Sequence, residues 1–169
     1  MYTMNPMGRL GVHFALADDA ARRLLAAGDE DAIRAAIDDL EKAGDEAWLV
    51  RSDQAWDAMH RSLSNGTLFY DEGEVPLNRT VLGGKHLLAG EDDVVAYVAP
   101  NEVKDVASAL APITMQEFRK RYDAIDPDDY DGPHGEEDFE VTWKSFVAVR
   151  ELYRKAAEAG RSVVFTVDQ

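Results

Sequence analysis

The 169-residue sequence contains no cysteine. That absence excludes a disulfide scaffold, a thiol nucleophile, a cysteine-ligated zinc and an iron–sulfur cluster. Positive charge is scarce: 18 Lys+Arg stand against 33 Asp+Glu, a formal net charge of −15 and a sequence pI of about 4.5. Such an acidic excess repels polyanions at long range, so neither nucleic acid nor an anionic membrane is an expected partner. No apolar run approaches the ~20 residues that a membrane-crossing helix needs. Met1 to Met7 lacks the basic start and apolar stretch of a secretory signal, and a cytoplasmic location is the expectation. Residues 1–6 read as a tail. With no internal repeat and no linker, residues 7–169 read as one domain, long enough to bury roughly 70% of its unfolded surface.

Motifs that carry chemistry are missing as well. For Gly83-Gly84-Lys85 to be a phosphate-binding loop, glycine is needed at 79 and Ser or Thr at 86, where Arg79 and His86 stand. The two glycines read instead as a strand-ending turn with positive φ. There is no Gly-x-Gly-x-x-Gly dinucleotide fingerprint and no Gly-x-Ser-x-Gly elbow. The four histidines, His13, His60, His86 and His134, form no His-Glu-x-x-His pair. His134 lies near Asp131 and Glu136, but the residue order of a calcium loop is lacking. No catalytic residue, metal ligand or cofactor is assigned, and the leaning is towards a non-enzyme.

What is present is patterning. Leu10, Val12, Phe14 and Leu16 alternate, predicting a half-buried strand with His13 on its opposite face. Asp18 and Asp29 are placed to open helices that Gly28 and Gly44 end. Asp53 is placed to cap a helix through Trp56, Met59, His60 and Leu63. Val94 to Val98 predicts a strand, Pro100-Asn101-Glu102 a helix start, and Thr114 with Glu117 a capping box. Residues 126–140 hold eight acids and no Lys or Arg, broken by Pro127, Gly132, Pro133 and Gly135. That is an acidic loop leading into the longest helix. Phe139, Trp143, Phe146, Val147, Tyr153 and Ala157 line one face of this helix, so Trp143→Ala is expected to cost about 3 kcal/mol or more. Val163 to Val167 is apolar on both alternating faces, which predicts a strand inside the sheet. Helices outnumber scattered strands. The fold expected is α+β, a single compact domain with a mixed sheet packed by several helices, one of them long and C-terminal.

Several segments in order resemble the YfbM-like proteins, a bacterial family of unknown function. Asp53-Gln54-Ala55-Trp56 with Met59-His60 and Leu63 resembles that family's Trp/His helix. Val81-Leu82-Gly83-Gly84 resembles its Leu-Gly-Gly turn. Tyr97-Val98-Ala99-Pro100-Asn101-Glu102-Val103 resembles its strand-to-helix junction. Leu152-Tyr153-Arg154-Lys155-Ala156-Ala157-Glu158-Ala159-Gly160 resembles its closing helix, and Met7-Gly8 its start. The resemblance implies a compact α+β cytoplasmic protein and no particular activity. Asp57, Arg61-Ser62 and the stretch Thr67 to Val75 depart from the family's pattern.

Two functional readings remain open. In the first, the chain is an interaction module that binds or neutralises a basic partner protein, with Asp128, Asp129 and Asp131 as the contact. In the second, a small-molecule site or enzyme pocket gathers Asp53, Trp56 and His60 with the Gly83-Gly84 turn. Surface geometry separates them. A concave pocket holding Trp56 and His60 favours the second, and a flat acidic face with both buried favours the first.

Overall fold

Local sequence signals place most of the elements in the computed structural model, which describes residues 10–90 and 93–168. The tail 1–6 and the start at Met7-Gly8 lie outside the described residues. In chain order the elements are β1 (Leu10–Leu16), α1 (Asp18–Ala26), α2 (Glu30–Ala43), β2 (Leu49–Asp53) and α3 (Trp56–Leu63). They continue with β3 (Lys85–Ala89), β4 (Val94–Val98), α4 (Pro100–Leu110), α5 (Met115–Asp123), α6 (Glu136–Ala159) and β5 (Ser162–Asp168). Asp29 caps α2 by accepting from the Ala32 N–H at 2.8 Å, and Gly44 ends it in the left-handed region at φ 55. Thr114 accepts from the Glu117 N–H at 3.1 Å to start α5. The Glu102 carboxylate accepts from the Ala99 N–H at 3.1 Å at the start of α4. Asp18 does not cap α1. Ala17 holds that position, and Asp18 and Asp19 sit in the first turn, where the helix dipole favours them.

The strands lie in the order β2-β1-β5-β4-β3, and every neighbouring pair is antiparallel. The α+β architecture with a long C-terminal helix is as expected, but the sheet is antiparallel throughout rather than mixed. At the end where β3 leads to β4 the Gly90 N–H donates to the Asp93 carbonyl at 2.9 Å. Helices α1 and α2 return the chain from β1 to β2, and α4, α5 and α6 return it from β4 to β5. β5 is the central strand. Val163, Phe165 and Val167 pack into one core, while Val164 packs into another on the opposite face.

Helices cover both faces. Leu24, Ile33, Ala36 and Ile37 of α1 and α2 close on Phe14, Leu16 and Val164. On the other side α3, α4, α5 and α6 bring Met59, Val106, Phe118 and Phe146 against Ala15, Val98 and Phe165. β1 is therefore buried on both faces from Phe14 onwards, not half-buried, and His13 is enclosed rather than wet. Gly11 is glycine for a reason: a Cβ there would stand 2.7 Å from the Trp56 indole and 2.9 Å from the Phe165 ring.

The apolar stripe of α6 is rotated from the expected one. Phe139, Thr142, Phe146, Val149, Leu152, Tyr153 and Ala156 are buried, whereas Val147 is exposed. Trp143 is half-buried, its ring 5.5 Å from Phe118 and 5.4 Å from Phe146, with the Arg150 guanidinium over it. Half the burial halves the transfer gain, so Trp143→Ala is expected to cost about 2 kcal/mol, less than the sequence suggested. Urea unfolding of the variant checks this figure. Among the described residues no helix is long and apolar enough to cross a membrane.

Candidate functional site

β2 ends and α3 begins with almost no intervening chain. Asp53 takes a left-handed backbone at φ 47, and the Ala55 N–H closes onto the Ser52 carbonyl at 2.8 Å. Left-handed backbone is uncommon outside glycine and is best tolerated by Asn, Asp and His. Asp53 does not cap α3. The cap position is Ala55, without a side-chain bond, because the turn uses Asp53 to reverse the strand instead. Trp56 opens α3 with its indole laid over Gly11 and 5.8 Å from the Phe165 ring.

The facing wall comes from the loop before α6 and from its first turns. Tyr130 donates its hydroxyl to Asp138 Oδ2 at 2.7 Å, and Tyr122 donates to the same oxygen at 2.6 Å. Burial and this carboxylate push both phenols well above the ordinary tyrosine range. Gly132 passes so close to Tyr130 that a Cβ would fall 2.2 Å from the phenol. His134, at φ 48, stacks on Tyr122 with ring centroids 4.8 Å apart and bonds the Tyr122 carbonyl through Nε2 at 3.0 Å. Among the described residues no group of three or more His, Asp or Glu could hold a metal ion.

Between these walls lies a half-open cleft of about 860 Å³. Leu10, Trp56 and Val141 give it an apolar part, and Asp53, Asp57, Asp131, Glu137 and Asp138 give it carboxylates. Among the described residues Arg51 is the one cation in the lining, and it is paired with Glu46 at 2.9 Å. The cleft is acidic by construction.

One further group organises this region. Arg61 Nε donates to Asp57 Oδ1 at 2.7 Å, one helical turn away, with both side chains buried. The same guanidinium donates to Asp129 Oδ2 at 2.6 Å and to the Gly66 carbonyl at 3.3 Å, and lies over the Tyr130 ring at 5.6 Å. Burial pushes the Asp57 carboxyl up against the pull of Arg61, and Asp131 and Asp138 add to the rise. Within 126–140 there is no Lys or Arg, yet the loop is not without cations. Arg61 reaches Asp129 from α3, and Arg119 reaches Glu136 from α5 at 2.8 Å. Asp128 is exposed, its N–H donating to Asp126 Oδ1 at 2.9 Å, and Asp131 faces the cleft.

The sequence-assigned ligand residues separate into two groups. Asp53 and Trp56 line the cleft. His60 is fully buried: Nε2–H donates to the Phe69 carbonyl at 3.2 Å, and Nδ1 accepts from the Leu82 N–H at 3.4 Å. Those two partners fix its tautomer, and burial lowers its pKa to about 4. Gly83 and Gly84 adjoin it through Leu82 and do not line the cleft. Neither has positive φ. They are glycines because a Cβ would fall 2.2 Å from the Asn78 carbonyl oxygen at Gly83 and 2.7 Å from the Tyr97 carbonyl oxygen at Gly84. Sequence reading missed Arg61, Tyr130 and Asp138. The i, i+4 spacing of Asp57 and Arg61 was an available signal; the meeting of Tyr122, Tyr130 and Asp138 had none.

Fold and cleft together define a small α+β protein with one antiparallel sheet, helices on both faces and an acidic hollow beside an edge strand. The chain belongs to the family described as a domain of unknown function, DUF1877, which it matches over residues 7–166. Among solved structures it is similar to the crystal structure of a protein of unknown function, YfbM from Escherichia coli. The TM-score is 0.67 at 18% identity, with 94% of this chain and 99% of that chain covered. At that identity the likeness is one of fold. No curated protein matches the sequence.

Proposed function

We propose that this protein is a binding protein whose cleft receives a cationic group, foremost a Lys or Arg side chain presented by a basic partner protein. The observation that supports this reading is the composition of the cleft, which among the described residues holds an indole and a phenol beside five carboxylates and one already paired cation. A guanidinium or ammonium gains there from charge-assisted hydrogen bonds to the exposed Asp53, Asp131 and Glu137 carboxylates, beside the buried Trp56 and Tyr130. The two readings of the sequence meet in this place, since Asp131 of the acidic loop and Asp53 and Trp56 border one hollow. The volume favours a second reading, a free organic cation, because it falls in the range of small-molecule sites.

The test is titration with tri-arginine, followed by the backbone amide and indole N–H signals in NMR. Shifts are expected to cluster on Trp56 and on residues 130–138, and the affinity should fall as salt rises. Asp131→Asn with Glu137→Gln removes two exposed carboxylates and should weaken binding at least tenfold. Shifts scattered over the surface, with an affinity indifferent to this double substitution, would refute a cleft for cations. Free arginine binding as tightly as tri-arginine would favour the small-molecule reading over the partner protein.

A further inference from the structure

The segment 67–76, between α3 and the short turn at Leu77–Thr80, lies away from the cleft and exposes three large apolar side chains. Phe69 is 63% exposed, Tyr70 49% and Val75 61%. Each would gain by burial, and three within seven residues make a patch rather than the scatter usual on a soluble surface.

Hydrogen bonds and close packing tie the loop to its neighbours. The Phe69 carbonyl accepts from His60, the Phe69 N–H donates to Thr67 Oγ1 at 3.3 Å, and Asn78 Nδ2 donates to the Glu72 carbonyl at 3.3 Å. Gly73, at φ 94, packs so closely that a Cβ would stand 2.7 Å from the Ser64 side chain. The Tyr70 ring lies 3.9 Å from that of His86 on β3. A braced loop of this kind presents its aromatic side chains with little ordering left to do on binding.

The charge beside the patch says what would cover it. Asp71, Glu72 and Glu74 interleave with the apolar residues, residues 67–78 contain no Lys or Arg, and none of the three acids makes an ion pair among the described residues. A second copy of this chain brings another −15 of charge, and an anionic membrane repels in the same way. We infer that the loop 67–76 is a protein-docking surface, with Phe69 and Tyr70 as its anchors, for a partner that presents an apolar surface flanked by basic residues. Aromatic anchors inside a charged rim are the usual make-up of interface hot spots. None of residues 67–76 lines the cleft, so this inference stands independently of the cation reading.

The experiment uses a fluorescent helical peptide of Lys and Leu with one basic and one apolar face, titrated with the full chain and followed by anisotropy. Phe69→Ser with Tyr70→Ser is expected to weaken binding at least tenfold while circular dichroism stays unchanged. Val75→Ser alone should weaken it by a smaller factor. Leu25→Ser on α1 and Met115→Ser on α5 remove comparably exposed apolar groups and should leave binding within twofold. Asp71→Asn, Glu72→Gln and Glu74→Gln together should flatten the salt dependence. Equal losses in the Leu25 and Met115 variants, or no loss in the Phe69/Tyr70 variant, overturn the proposal. So does a dimer in sedimentation that the Phe69/Tyr70 variant dissolves, because the occupant is then a second copy. Binding to phosphatidylcholine vesicles that the same variant abolishes overturns it in favour of a lipid surface.

Discussion

Arg61→Ala is expected to lower the unfolding free energy by about 3–5 kcal/mol, the range for removing one partner of a buried ion pair. The guanidinium is almost wholly enclosed, and its loss leaves the Asp57 carboxylate in a site where burial already disfavours its charge. Three further contacts go with it, to Asp129, to the Gly66 carbonyl and to the Tyr130 ring. The loss therefore spreads to the loop that walls the cleft, and limited proteolysis within 126–135 should quicken in the variant. Urea unfolding at neutral pH measures the first effect. The double variant Asp57→Leu with Arg61→Met separates charge from packing: it should recover most of the loss, since hydrophobic replacement of a buried pair is often neutral. A single variant that loses less than about 1 kcal/mol would show that water already solvates Asp57.

Acid is expected to unfold the protein well before its surface carboxylates are all protonated. His13 and His60 are both fully buried, and burial lowers each pKa from 6.5 to about 4. His13 bonds the Thr80 carbonyl through Nε2 at 2.7 Å, and its Nδ1 has no hydrogen-bond partner to accept a second proton's charge. The folded state thus binds fewer protons than the unfolded chain between these values. Stability is complete above pH 6.5 and falls as pH drops from 6.5 through 4. A gap of that size is worth roughly 3 kcal/mol for each histidine at 1.36 kcal/mol per pH unit. Asp57, raised by burial, works in the opposite direction and returns part of the loss. Unfolding midpoints at pH 7.5, 6, 5 and 4 test the sum, and imidazole NMR titration assigns it. Imidazole signals for His13 and His60 that titrate near 6.5 would remove the prediction.

Legibility in the sequence follows the range of the forces involved. Helix ends were readable because a cap acts over three or four residues. Asp29 and Gly44, Thr114 with Glu117, Glu102 at the start of α4 and Gly160 at the end of α6 all behave as their types demand. The same local reading failed where the backbone served a distant need. Asp53 carries a good capping side chain but turns β2 into α3, and the positions of Gly83 and Gly84 answer to Asn78 and Tyr97 rather than to a turn type. β3 was not foreseen, since Lys85–Ala89 becomes a strand only through its pairing with β4.

By itself, then, the sequence determined the helices, the α+β class, the inward-facing central strand and the acidity, all of which depend on composition and on short-range periodicity. Tertiary structure alone decided which faces are covered. It buried His13 by placing helices on both sides of β1, and it turned His60 from a candidate ligand into a bonded core residue. It also made the cleft, by setting residues 51–57 against residues 130–145, and tied the two together through Arg61 and Asp129, 68 positions apart in the chain. A periodic pattern states that a side chain has an inside and an outside. Which neighbours form that inside is fixed only when segments distant in sequence pack together.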